Sequence, residues 1–212
     1  MAAVVRRYFY YLNERGHLFH VFDIKGLVEG TRIPSGPTHL RDRAFLDFFY
    51  LRLQYSSLAN FTEPGSESEE VCLDDGTVLW PQEFLHHFPY VSICGKEMNF
   101  LKVQDAPVVF TDYSFNRTVC NELSGILLFG ESLQEPLQPA ALTVTREGKL
   151  LHPITTLKKL RRGAPLADPR GLVGAQVGLK LGFDFVCEEL DSDGHYVLEW
   201  GGKKCVIPFA DE

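Results

Sequence analysis

The chain has 212 residues, 45% of them hydrophobic, with 16 Phe, 8 Tyr and a formal net charge of −7. That length suits one large domain or two intimately packed halves, buries roughly 70% of the unfolded surface without disulfide or metal staples, and with this apolar content excludes global disorder. The acidic balance argues against a nucleic-acid binder, although Lys158-Lys159-Leu160-Arg161-Arg162 is a local basic patch, and no apolar run approaches the ~20 residues of a membrane helix, so no membrane span is expected.

Five cysteines, an odd number with no CxxC pair, point to reduced thiols in an intracellular compartment rather than a disulfide framework. The start, Met1-Ala2-Ala3-Val4-Val5-Arg6-Arg7, is basic and acid-free, like the stub of an organellar presequence, and has no secretory h-region.

In chain order, 7–12, a polar turn at 13–16 and 17–22 read as a hairpin. Tyr8-Phe9-Tyr10-Tyr11 puts rings on both pleat faces, which predicts a strand covered on both sides. The stretch 24–38 carries Gly26, Gly30, Pro34, Gly36 and Pro37 and reads as a loop with a turn of helix near Leu27. A helix capped by Thr38 is expected over 41–55, with Phe45, Phe49 and Leu53 along one stripe. Residues 60–76 are expected to be a mobile acidic insertion, since 63–70 is acidic and free of apolar side chains. A short helix over 80–88 starts with Pro81 in its first turn.

The centre of the pattern is 89–115. Tyr90, Val91 and Ile93 climb to Cys94-Gly95-Lys96, and Phe100, Leu101 and Val103 descend. Gly95 suits the tight turn because it takes positive φ without a Cβ clash. Asp105-Ala106-Pro107 breaks the run, and Val108-Val109-Phe110 begins a third strand. Beyond it come a loop (116–124), a buried strand (125–129), a polar connector (134–139) and a half-solvated strand (142–145). Residues 157–167 read as a linker or loop. Val173, Val177, Leu181 and Phe185 recur at four-residue spacing, so 172–190 is expected to be a helix with a small-residue face, even though each Gly lowers helix propensity by roughly 1 kcal/mol. A hairpin over 196–209 closes the chain.

Two segments resemble each other. Asn13-Glu14-Arg15-Gly16-His17-Leu18-Phe19-His20 matches Thr145-Arg146-Glu147-Gly148-Lys149-Leu150-Leu151-His152, and Tyr90-Val91 precedes Gly95 with the spacing by which Tyr196-Val197 precedes Gly201. The pattern is either a duplication or two Gly-centred hairpins alike by chance. The expected fold is α+β, antiparallel and strand-rich, with two tandem hairpin–helix–hairpin halves packed together: half one over 6–115, a linking strand region over 116–139 and half two over 140–212 of a single domain.

No phosphate-binding, dinucleotide, zincin or nucleophile-elbow signature is present. His86 and His87 are adjacent and point ~100° apart on a helix, so no metal or other cofactor is expected. His20 and His152 occupy matching repeat positions. They are either paired acid/base or ligand groups, or hairpin-exit histidines that hydrogen-bond a neighbouring carbonyl, and the second reading is preferred. Glu97, Asn99 and Asp105 cluster on the central hairpin and its exit, with Glu97 and Asn99 on one pleat face; they could do acid/base work, or cap a turn and pair with Arg. Cys94 is a nucleophile candidate, or a small apolar residue of a strand.

The block from Gly95 through Glu97, Asn99, Asp105 and Pro107 to Thr111 (GKEMNFLKVQDAPVVFT) resembles the signature of a eukaryotic family of unknown function whose vertebrate member is a mitochondrial protein from a chromosome-8 open reading frame. The resemblance extends to the Tyr8-Phe9-Tyr10-Tyr11 hairpin, to Gly148-Lys149-Leu150-Leu151-His152-Pro153 and to Trp200-Gly201-Gly202-Lys203-Lys204, while the acidic 63–70 and basic 158–162 stretches depart from the vertebrate pattern. The layout is also similar to a bacterial family of unknown function with two repeated α+β motifs. The resemblance implies a fold and a mitochondrial address, failing which a cytoplasmic one, and carries over no catalytic residue. The candidate set is therefore Gly95, Glu97, Asn99, Asp105, Pro107, His20, His152 and Trp200. The expected function is a non-enzymatic module that binds a protein partner or small ligand in a groove near Gly95 and Gly201. The alternative is a small hydrolase-like enzyme using Glu97, Asp105 and His20 or His152.

Overall fold

The computed structural model describes residues 6–57, 59, 70–117, 123–164, 168–180, 195–200 and 203–210. The chain gathers into two compact units, 1–13, 17–107 and 157–166 in the first and 14–16, 108–156 and 167–212 in the second. The class is α+β, with several antiparallel sheets and few helices.

The first unit opens with the hairpin β1 (Arg6–Leu12) and β2 (Leu18–Val21), followed by α1 (Ile24–Val28), α2 (Arg43–Leu51), β3 (Leu53–Tyr55), β4 (Val71–Cys72), β5 (Val78–Leu79), α3 (Pro81–His87), β6 (Tyr90–Cys94) and β7 (Glu97–Val103). Its main sheet has the order β2-β1-β7-β6-β3, with β1 and β7 parallel and the other neighbours antiparallel. The ring-rich sequence explains why β1 is internal, since Phe9 and Tyr11 are buried on one face and Tyr10 on the other. Below, Phe9 meets Phe84, Phe88 and Phe100 at ring-centroid distances of 5.1–6.3 Å. Above, Tyr10 lies against Phe45 and Phe49 of α2 at 5.9 and 5.4 Å. Cys94 pairs with Glu97, which leaves Gly95-Lys96 as a two-residue turn with Gly95 at φ +65°.

Three expectations for this unit need correction. The cap of α2 is Asp42, whose Oδ1 accepts the Phe45 N–H at 2.8 Å; Thr38 lies in a separate 3-10 turn. The helix ends at Leu51, and Leu53 reaches the core from a strand, opposite Ser92. Four-residue spacing from Phe49 to Leu53 is therefore kept across a helix-to-strand change, where periodicity is blind. Of the acidic insertion, 60–69 lie outside the described residues, but 71–76 are anchored. Val71 and Leu73 join the aromatic core, and Asp75 Oδ2 accepts the N–H groups of Ile24 and Lys25 at 3.2 and 3.3 Å.

The second unit contains β8 (Val109–Phe110), β9 (Asp112–Arg117), β10 (Leu123–Phe129), β11 (Leu133–Pro136), β12 (Thr143–Val144) and β13 (Leu150–Pro153). The chain then makes α4 (Lys158–Arg162), which belongs to the first unit and packs on β3, and returns through β14 (Arg170–Val173), α5 (Ala175–Lys180), β15 (Tyr196–Trp200) and β16 (Lys203–Ile207). Sheet orders are β11-β10-β9, β12-β13-β14-β8 and β15-β16.

The third strand is present as β8, which pairs in parallel with β14. Here too the sequence reading is corrected. The polar connector includes strand β11, and the 157–167 linker contains α4. Leu172 and Val173 are strand rather than helix, and 181–194 lie outside the described residues. A Cβ on Gly171 would stand 2.7 Å from the Phe110 ring, so the small residue serves a tight strand contact instead of a helix face.

The two hairpin pairs share local geometry. The Asn13 N–H donates to His17 O at 3.2 Å and its Oδ1 accepts the His17 N–H, with Gly16 at φ +79°; the Thr145 N–H donates to Lys149 O at 2.8 Å and its Oγ1 accepts the Lys149 N–H, with Gly148 at φ +78°. Tyr90 pairs with Leu101 as Tyr196 pairs with Ile207. Leu12 lies beside Val103 and accepts from the Gln104 N–H; Val144 lies beside Phe209 and accepts from the Ala210 N–H, and both alignments are parallel. These positions keep the two sequence offsets, 144 − 12 = 145 − 13 = 132 and 209 − 103 = 196 − 90 = 106.

Phe100 is fully buried against the rings of Phe9 and Phe84. Phe100→Ala is expected to cost about 3–5 kcal/mol, read as an earlier guanidinium midpoint. A loss near zero would contradict the assignment of these rings as the core of the first unit.

Candidate functional site

Strand register places Arg6, Tyr8 and Tyr10 of β1, His20 of β2, Glu97 and Asn99 of β7, and Ser92 and Cys94 of β6 on one face of the main sheet, the face that α2 covers. Under α2 the polar groups are spent on structure. The Ser92 Oγ–H donates to Phe49 O at 2.8 Å, and Asn99 Nδ2 donates to Ser92 O at 3.0 Å. Both residues are buried, so Asn99 locks β7 to β6.

Toward the Gly95 turn the face opens. Arg6 pairs with Glu97 at 3.3 Å, and the Arg6 N–H donates to Lys96 O at 3.0 Å. His20 lies among Tyr8, Tyr10 and Phe22 at ring distances of 5.9, 5.2 and 4.3 Å. Phe22 is 82% exposed. Burial lowers the His20 pKa, which leaves the imidazole neutral at pH 7. Burial pushes Tyr10 up to about 12, reinforced by Tyr8, Glu97 and Cys94, so its phenol stays protonated. The result is a ring ledge rimmed by one ion pair.

The candidate carboxylates are not brought together. Strand β7 separates Glu97 from Asp105, roughly 20 Å of extended chain. Asp105 is exposed, and the chain crosses from the first unit to the second immediately after the buried Pro107. His20 and Cys94 stand on β2 and β6 with two strands between them, roughly 14 Å apart across the sheet and further separated along it, since His20 aligns with Leu101 and Cys94 with Glu97. Cys94 Sγ instead lies 3.6 Å from Ser92 Oγ.

His152 and Trp200 belong to the second unit. Trp200 ends β15, paired with Lys203. His152 is wholly buried and its ring edge meets Phe110 at 5.7 Å. Nε2 accepts the Gln138 N–H at 2.9 Å, which makes Nδ1 the donor to Pro153 O at 2.7 Å. Burial holds its pKa below the usual histidine range, against the opposing pull of the Pro153 carbonyl and Glu135. Both nitrogens are committed to the backbone, so the ring organises its own hairpin exit.

Glu135 was missed within the polar connector. It is wholly buried, and its carboxylate accepts the N–H groups of Thr155 and Thr156 at 2.9 and 3.0 Å, the Thr156 hydroxyl at 2.8 Å and the Thr155 hydroxyl. The available signal was alternation, since Gln134 and Pro136 are exposed while Glu135 and Leu137 point inward. Among the described residues, no three His, Cys, Asp or Glu side chains gather as a metal group, and no helix is long and apolar enough to cross a membrane.

Residues 80–209 match the model of a domain of unknown function, DUF4505, a span that holds every candidate position except His20. Among solved structures, the chain is similar to the crystal structure of a DUF1285 family protein from Silicibacter pomeroyi DSS-3, with 12% identity, coverage of 73% of this chain and 87% of that chain, and a TM-score of 0.34.

Glu135→Gln turns an amide NH2 toward the Thr155 and Thr156 donors and is expected to cost about 1–3 kcal/mol for each donor left unpaired, measured by denaturant unfolding; an unchanged midpoint would contradict the buried clamp. Because the folded His152 pKa is depressed, its contribution is fully present above the unfolded value of about 6.5 and is lost as pH falls from there toward the folded value. Thermal melts are therefore expected to fall on acidification below about pH 6.5, and His152→Asn to flatten part of that slope; an equal slope in both proteins would refute the linkage.

Proposed function

The chain belongs to the DUF4505 family, a domain of unknown function, and from that premise we propose that it is a non-enzymatic binding module that docks a protein partner on the Phe22 end of the main sheet. The observation that carries this reading is the Phe22 ring, 82% exposed yet set edge-to-face against His20 at 4.3 Å. A small-ligand site is concave and buries most of its ligand. A ring that stands four-fifths in water is instead a knob for an apolar pocket on a partner.

The knob is preordered. β2 holds it on one side, and on the other Asp23 caps α1 through the Gly26 N–H at 2.8 Å and pairs with Arg32 at 3.0 Å. An aromatic already fixed in place loses little entropy on docking, and aromatic anchors dominate interface energies. The Arg6–Glu97 pair supplies a polar rim. We place the module in a mitochondrial assembly, because the 95–111 block and the two hairpins resemble the eukaryotic mitochondrial family that includes the vertebrate chromosome-8 open-reading-frame protein.

The test is a photo-crosslinker at position 22, with one at the exposed Glu29 as control, in isolated mitochondria, followed by titration of the purified crosslinked partner. Burial of the Phe ring is worth about 1.5–3 kcal/mol, so Phe22→Ala is expected to weaken binding by about tenfold or more while the melting temperature stays unchanged. Equal affinity of Phe22→Ala and wild type, or a crosslink pattern shared with position 29, overturns the assignment.

A further inference from the structure

A separate feature lies on the opposite face of the same sheet. Lys102 shares the side of β7 that carries Phe100, and its register partner is Tyr11. The ammonium is thus carried at the edge of the aromatic core, half-buried. His87 closes α3, whose Phe84 and Phe88 are both anchored in that core. The two elements bring Lys102 Nζ to 2.9 Å from His87 Nδ1.

The surrounding groups put no carboxylate on the Lys102 ammonium itself. Tyr11 donates its hydroxyl to Gln104 Oε1 at 3.2 Å. Glu83, one turn earlier on α3, accepts the Trp80 N–H at 3.4 Å. The His86 ring stands 5.5 Å from that of His87 and is exposed. The Arg6–Glu97, Lys25–Glu29 and Arg32–Asp23 ion pairs lie elsewhere, and none includes Lys102. A half-desolvated ammonium whose partner is an imidazole rather than a carboxylate is poised to give up its proton.

We propose that Lys102 and His87 form a nucleophilic amine pair that condenses with small aldehydes or ketones. His87 Nδ1 takes a proton from the Lys102 ammonium. The freed Nζ lone pair forms the C–N bond at the carbonyl carbon, and the C=O π pair moves to oxygen. That oxygen takes the proton back from His87, giving a carbinolamine still protonated on Nζ, which loses water to the protonated imine. Carbonyl compound and amine give imine and water, with no oxidant or reductant. The energetics agree with the geometry. Burial lowers the Lys102 pKa, and burial, Lys102 and His86 together lower that of His87 against the pull of Glu83, so the imidazole is an empty acceptor at pH 7.

The test uses the full chain with propanal and cyanoborohydride at pH 7, mapping alkylation at each lysine by mass spectrometry over time. Lys102 is expected to label at least about tenfold faster than the exposed Lys96, Lys158 and Lys159, a modest share of the ~10²–10⁴-fold that a positioned proton acceptor contributes. Its rate is also expected to level off at lower pH than theirs. His87→Gln keeps an acceptor for the hydrogen bond but cannot take the proton, and is expected to bring Lys102 down to the rate of Lys96. Thermal melts check that this variant folds, and His87→Asn serves in its place should it melt early. Lys102 labelling no faster than Lys96, or as fast in the folded histidine variant as in wild type, overturns the proposal.

Discussion

The parallel pairing of β1 with β7 is the constraint on which the first unit depends. It joins the first strand of the chain to one some ninety residues later, from Arg6 beside Glu97 to Leu12 beside Val103. The pairing is worth its loop-closure entropy because rings are buried on both sides of β1. Phe9 sits on the Phe84, Phe88 and Phe100 cluster, and Tyr10 sits under Phe45 and Phe49. The same register decides the chemistry. It assigns Glu97 and His20 to the face under α2, and Lys102 to the face that meets α3.

Polar side chains in both units divide into those consumed by the fold and those left at its edges. Asn99, Ser92, His152 and Glu135 are buried and hydrogen-bonded. Their cost of desolvation is met by local partners. At the edges stand the Phe22 ledge and the Lys102–His87 contact, where side chains are half-buried or exposed and their partners are not backbone. The proposed binding and the proposed reactivity therefore fall at these two edges, one on each face of the sheet.

Much of the local structure was legible because it is written in local chemistry. Gly95 does take positive φ, Pro81 does open α3, and the aromatic β1 is covered on both faces. The central hairpin lies where its apolar pattern placed it. The candidate site was less legible. Glu97 and Asp105 are close in sequence, but an extended strand between them carries them apart. Glu135 looked like connector polarity because its four donors come from Thr155 and Thr156, some twenty residues later.

By itself the sequence determined the α+β class, the turns and the ring-rich core, since backbone permissiveness and side-chain alternation act within a few residues. Only the tertiary structure decided which strands became neighbours, that β8 pairs with β14, and that Leu53 and Val173 reached the core from strands instead of helices. It also decided that His87 faces Lys102. Those outcomes turn on contacts between distant residues, where the burial gained by closing a long loop outweighs local propensity, and a linear pattern carries no record of which partner closes it.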